Sequence, residues 1–469
     1  MTMWFPDPDK LKRPVYKTLQ GLIIDAIDAG ELRPGERMPT HRDFAFQMKI
    51  SVQTVSRTYD ALCRLGYLVG EVGRGTFVRI RDTSSEAAMP FLPTRHEELI
   101  DLSMLKPVTD RLHYDAMQKG LVKLSDDLTR DLVQSFRPEE AFRDHAKVAS
   151  RWLQGHRMDV DWKSLIFTNG AVPALLSAVM SAAPAGSAIC VEELSFHILR
   201  PLCEYLGVRI HATRMDRMGL LPEAFEEICS QQSIRALVIS PTVCNPRAHV
   251  MSLERRQEIL EIARRNKVHI IENDVLGTMV KGAPPTLWQL DPDRVFYLTS
   301  FSKTIMPGLR AGILVLPPSM RVVGKNRHLV TNWMANPLAV DLLTLWMQDG
   351  TVDKLINWQG NALQKRQKLI AKLLPGVDYD SHKYAPHIWL PLPPNWQEGD
   401  FVAQARRHQV AIAGSLPFMM SDQSNEGDAI RMNAVRIALG PCREEQLSTA
   451  LRVIASLIGA GSEAPLPLF

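Results

Sequence analysis

The stretch Val295-Phe296-Tyr297-Leu298-Thr299-Ser300-Phe301-Ser302-Lys303-Thr304-Ile305-Met306-Pro307-Gly308-Leu309-Arg310 sets one lysine among phosphate-friendly side chains at the end of an apolar run. Val295 to Leu298 reads as a short buried strand, and Ser300-Phe301-Ser302-Lys303 follows at its end. Two hydroxyls and the Arg310 guanidinium can hold a phosphate, while the Lys303 amine can condense with an aldehyde. Pyridoxal phosphate joins those two groups in one molecule. Taken alone, the same residues also read as a solvated loop, so the rest of the chain has to decide.

With 469 residues the chain is too long for one ordinary core and predicts two or three domains. Hydrophobic residues make up 45% and charged residues 23%, the balance of a soluble globular protein. There is no run of about 18 apolar residues and no apolar signal region near the start, so a cytoplasmic protein with no membrane partner is expected. Six cysteines are scattered without a C-x-x-C pair, which speaks against a zinc site and a disulfide framework; no metal is expected. Most of the net charge of +4 falls in the first 82 residues, which hold 13 Lys and Arg against 10 Asp and Glu. That slight basic excess is compatible with nucleic acid but does not by itself require it.

From Val15 to Ala29 the residues Leu19, Leu22, Ile23, Ala26 and Ile27 recur at helical spacing, and Gly30 ends the pattern. Thr40 can cap a second helix through Phe44 and Met48, and Ser51 a third that buries Val55, Tyr59, Leu62 and Leu65. Tyr67 to Val69 and Thr76 to Ile80 then read as a hairpin around Gly73-Arg74-Gly75. Three helices and a two-stranded wing make a winged helix-turn-helix over residues 12–80. On the third helix Gln53, Thr54, Ser56 and Arg57 are placed to reach base edges and phosphates of double-stranded operator DNA. Arg42 and Arg74 add backbone or minor-groove contacts. The run Leu32-Arg33-Pro34-Gly35-Glu36-Arg37-Met38-Pro39-Thr40-His41-Arg42-Asp43, with Ser51-Val52-Gln53-Thr54-Val55 and Gly73-Arg74-Gly75-Thr76-Phe77-Val78, resembles the GntR class of bacterial DNA-binding domains.

Residues 81–98 turn small, polar and proline-bearing, as a linker does. Beyond them, short apolar runs end in polar clusters: Leu165 to Phe167 before Thr168-Asn169-Gly170, Ala188 to Val191 before Glu192, Ala236 to Ile239 before Ser240, and His269 to Ile271 before Glu272-Asn273-Asp274. Such a series predicts an α/β domain with a largely parallel sheet, with ligands bound at the strand ends. The larger domain is expected over 99–328 and a smaller C-terminal α+β subdomain over 329–469.

Together these clusters resemble the fold-type I aminotransferase pattern, and with the GntR domain in front the chain is similar to the MocR subfamily of transcriptional regulators. The resemblance implies pyridoxal phosphate on Lys303 as a Schiff base. It places the phosphate on Ser300, Ser302, Arg310 and the backbone of Gly170 and Ala171, where a helix start favours an anion. It further implies Phe196 stacked on the pyridine ring, Asn245 on the phenolic oxygen, and Arg436 clamping the carboxylate of a small amino-compound effector. A homodimer is implied as well.

The chain departs from the enzyme pattern at Val172, at Asn245-Pro246-Arg247-Ala248, and at the acidic strand end. One register puts Asn273 where enzymes place the carboxylate beside the pyridine nitrogen, and Leu276 where they place a tyrosine; another register makes Asp274 the ring partner. Loss of the carboxylate makes the cofactor a poorer electron sink. The expectation is a regulator that senses an amino compound through imine exchange; the alternative is an active aminotransferase carrying a DNA-binding domain.

Overall fold

A computed structural model describes residues 4–7, 11, 15–28, 31–32, 36–64, 67–71, 75–78, 99–126, 142–420 and 432–460. Arg74 and the expected linker at 81–98 lie outside the described residues. The chain divides into two compact units, residues 1–93 and 94–469.

In the first unit, helices Val15–Asp28, His41–Met48 and Val52–Arg64 precede an antiparallel hairpin of Leu68–Glu71 with Gly75–Val78. The caps form as their residue types dictate: Thr40 Oγ1 accepts from the Asp43 amide at 3.2 Å, and Ser51 Oγ from the Thr54 amide at 3.1 Å. Leu19, Ile23, Phe44, Val55, Tyr59 and Leu62 close the core. Each such side chain stabilises the unit by about 1.5–3 kcal/mol. Residues 36–38 run along the wing. The Val78 amide donates to Glu36 O at 2.8 Å and the Met38 amide to Thr76 O at 2.8 Å.

The second unit is built on a seven-stranded sheet ordered Leu165–Thr168, Gly312–Val315, Val295–Ser300, His269–Asn273, Ile234–Ile239, Ala188–Glu192, Arg209–Thr213. Gly312–Val315 runs antiparallel to both neighbours, and the remaining pairs are parallel. Both faces are covered by helices, so the strands read as continuous apolar runs. A second core joins the sheet of His387–Pro391, Ala434–Ala438 and Ala413–Gly414 to helices Thr351–Leu373, Glu398–Arg407 and Glu444–Ala460. The opening segment belongs with this second core: Ile100–Asp101 pairs with Val410–Ala411, and Leu102 is buried there. Among the described residues no helix is long and apolar enough to cross a membrane.

Candidate functional site

Lys303 emerges from the turn after strand Val295–Ser300, and its Nζ donates to the Leu105 carbonyl. Burial, then the charges of Arg436, Arg310 and Lys106, push its pKa down to about 8 from the 10.5 of an ordinary lysine. An amine so placed is available as a nucleophile near neutral pH.

Arg310 returns to the same turn in a left-handed backbone conformation (φ 47°). Its Nη1 donates to Ser302 Oγ at 3.2 Å and its Nη2 to Asn169 O at 2.9 Å. Gly170, at φ 100°, caps helix Ala171–Ala182; a Cβ there would stand 2.9 Å from Arg310 Nη2. The guanidinium, the Ser302 hydroxyl and the open amides of a helix start therefore converge on one small space, a cradle suited to a phosphate. Ser300 does not point its hydroxyl there: it donates to Ala311 O at 3.2 Å and accepts from the Ser302 amide at 3.3 Å, holding the turn itself.

Arg436, buried on strand Ala434–Ala438, reaches across from the second core. Its Nη1 donates to Asn245 Oδ1 at 3.0 Å and its Nη2 to Ser103 O, both neutral acceptors. Burial pushes its pKa down to about 9. Its guanidinium lies 4.7 Å from the Phe418 ring centre. His197 stands beside Phe196, ring centres 4.9 Å apart, and burial followed by the charges of Arg436 and Lys303 holds it neutral, with a pKa of about 3. Neither Phe418 nor His197 was distinguishable in the sequence, because a phenylalanine or histidine in an apolar stretch carries no signal of its own.

At the end of strand His269–Asn273 the two candidate ring partners diverge. Strand alternation puts Asn273 on the face of Ile271, in the core that Phe196 packs against. Its Oδ1 is buried without a hydrogen-bond partner. Asp274 turns to the other face, where its Oδ2 accepts from Tyr297 OH at 3.0 Å. Its carboxyl packs so closely on Gly277 that a Cβ at that position would lie 2.0 Å from Oδ1. Burial and then Glu272 push the Asp274 pKa up to about 8. The chemistry of these residues fits pyridoxal phosphate: a buried amine, an anion cradle beside it, a nearby aromatic ring and an unsatisfied buried amide oxygen.

In the first unit Arg42, Gln53 and Arg57 are exposed, the Arg57 guanidinium lying 4.0 Å from the Tyr16 ring centre. The hydroxyls of Thr54 and Ser56 are engaged on their own helix, with Ser51 Oγ at 2.8 Å and Asp60 Oδ2 at 3.4 Å. Arginine and glutamine side chains exposed on a recognition helix are suited to a major groove.

A winged helix unit and an α/β unit with a lysine-and-arginine anion site define a two-part protein of the GntR–aminotransferase type. The chain belongs to the aminotransferase class I and II family, whose model matches residues 115–379, and residues 15–78 match the bacterial regulatory proteins of the gntR family. It is 25% identical over 458 residues to the HTH-type transcriptional regulator YdeF of Bacillus subtilis, covering 97% of this chain and 96% of that protein. It is 23% identical to the HTH-type transcriptional regulator YdcR of Escherichia coli, covering 86% and 92%. Among solved structures, the kynurenine aminotransferase of Pyrococcus horikoshii shares its fold with a TM-score of 0.71 at 19% identity, over 82% of this chain and 99% of that one. The α-aminoadipate aminotransferase LysN of Thermus thermophilus does so at 0.69 and 18%, over 77% and 92%.

Proposed function

We propose that this protein is a pyridoxal-phosphate-dependent, DNA-binding transcriptional regulator of the MocR type, which senses a small amino compound in its aminotransferase-like unit. The observation that supports it most is the convergence of Ser302, Arg310, Gly170 and Arg436 around Lys303 in a chain whose other unit is a gntR-family domain. Full-length similarity to HTH-type regulators from two bacteria agrees with that reading.

Bound pyridoxal phosphate supplies an aldehyde at which one amine can be exchanged for another. Lys303 would hold the cofactor through its buried amine, and Arg310, Ser302 and the start of helix Ala171–Ala182 would hold its phosphate. Phe196 would cover the ring, and Asn245, oriented by Arg436, would face its phenolic oxygen. Arg436 takes the effector carboxylate in exchange for its neutral acceptors, Asn245 Oδ1 and Ser103 O. Because Ser103 belongs to the opening segment that pairs with the second core, that exchange gives the effector a differential grip on two arrangements of the unit, which any switch requires.

Asn273 marks the divergence from turnover. A neutral amide beside the pyridine nitrogen would bring none of the negative charge with which a carboxylate stabilises the pyridinium, so proton abstraction from a bound amino acid would be slow. Apolar side chains exposed on helices Arg111–Asp126 and Arg321–Asn332, among them Tyr114, Leu121, Val322 and Val330, favour a homodimer. Uptake of pyridoxal phosphate, read as a visible absorption band lost in Lys303→Ala, tests the cofactor assignment. An unchanged band in that variant contradicts it.

A further inference from the structure

Glu192, Cys244 and His249 form a buried cluster to which the cofactor reading gives no role. One donor atom from each lies within 4.8 Å of the other two, and the three residues are 0%, 0% and 6% exposed. Cys244 and His249 close the two ends of the turn that presents Asn245. The Cys244 amide donates to His249 O at 3.2 Å, and the Ala248 amide to Cys244 O at 2.6 Å. Glu192 meets them from the end of strand Ala188–Glu192, 52 residues earlier, which is why no local spacing in the sequence revealed the group.

We propose that this cluster is a binding site for a divalent transition metal, of the zinc class, that clamps the turn bearing Asn245. Donor chemistry comes first: a thiol, an imidazole and a carboxylate are the three side chains zinc prefers. Distances come second. His249 Nε2 lies 3.7 Å from Glu192 Oε1, and Cys244 Sγ lies 3.8 Å from Glu192 Oε2. A hydrogen-bonded imidazole and carboxylate close to about 2.7–3.2 Å, so the first pair is not one. Bonds of about 2.0–2.3 Å to zinc at tetrahedral angles separate donors by roughly 3.3–3.6 Å; the two pairs above involve different Glu192 oxygens and all three donors lie within 4.8 Å, so they would draw in by up to about 1 Å around an ion.

Glu192 Oε1 and both nitrogens of His249 are buried with no hydrogen-bond partner, a costly arrangement for three polar atoms in one spot. A divalent ion bound by a carboxylate, a thiolate and a neutral imidazole makes the site electrically neutral. Three protein donors leave a fourth position for a small ligand such as water. The inference does not depend on the cofactor, since none of the three residues belongs to the set around Lys303.

The test uses the full chain purified without chelators from zinc-supplemented cells, with elemental analysis and zinc K-edge X-ray absorption. The expected result is about one zinc per chain, with one sulfur at about 2.3 Å and nitrogen or oxygen at about 2.0 Å. Cys244→Ser and His249→Gln should each lose at least nine-tenths of it, and Cys63→Ser none. Zinc below a tenth of an equivalent in the wild-type protein, a shell without sulfur, or full retention in folded Cys244→Ser overturns the site. Should the variants fail to fold, the stoichiometry and shell of the wild-type protein decide alone.

Discussion

Asn273 and Asp274, adjacent in sequence, present their side chains to opposite faces of the central sheet: Asn273 towards the core that holds Phe196, Asp274 towards Tyr297. On the proposed function the neutral residue is the one that would meet the cofactor ring. Asn273→Asp should restore a carboxylate to the ring and speed single-turnover conversion of a bound amino acid at least tenfold, read from the cofactor spectrum. Asp274→Ala should instead leave the Tyr297 hydroxyl unsatisfied and cost about 1–3 kcal/mol in thermal or urea unfolding. If Asp274→Ala altered the spectrum without lowering stability, the two roles would be reversed.

Lys303 should accept the cofactor in a pH-dependent way. Only the neutral amine attacks an aldehyde, so the rate at which cofactor-free protein takes up pyridoxal phosphate should rise through pH of about 8. Replacing Arg436 by Gln removes a neighbouring positive charge that contributes to the depression, after burial, and should move that midpoint upward. A wild-type midpoint near 10.5, measured by stopped-flow absorbance, would contradict the environment described for Lys303.

Gly170→Ala introduces a Cβ 2.9 Å from Arg310 Nη2 at a φ of 100°. Arg310 must shift out of the cradle, and the affinity for pyridoxal phosphate should fall at least tenfold in an equilibrium titration. A matching loss for inorganic phosphate as competitor would place the defect in the phosphate site.

Arg42→Ala and Arg57→Ala alter exposed side chains and should leave cofactor uptake unchanged. Each should weaken operator binding and reduce the slope of log affinity against log salt by about one for every phosphate that the variant no longer neutralises. Gln53→Ala should act on sequence preference, at about 1–3 kcal/mol at the base it reads. Equal binding by all three variants would remove the recognition helix from its proposed role.

Much of this was legible in the sequence, because the features concerned are local. Caps at Thr40 and Ser51, the core positions Val55, Tyr59 and Leu62, and the apolar runs that became sheet strands all announce themselves within a few residues. What was not legible depends on interactions made across long separations. The Ser300 hydroxyl looks like a phosphate ligand until the Ala311 carbonyl is found beside it. The pairing of Ile100–Asp101 with Val410–Ala411 joins segments some 310 residues apart. The register at Asn273 and Asp274 was open because one sequence does not show which face of a buried strand meets a ligand.

On the proposed function, the exchange of an amine for Lys303 changes DNA affinity rather than driving turnover. The most direct measurement titrates amino compounds into the cofactor-loaded full-length protein bound to an operator selected from random DNA, while following the cofactor spectrum, operator affinity and keto-acid product. The expected result is a saturable spectral change at one equivalent of effector per Lys303, with a roughly 5–150-fold change in operator affinity and no repeated turnover. Multiple turnovers with operator affinity unchanged would contradict it.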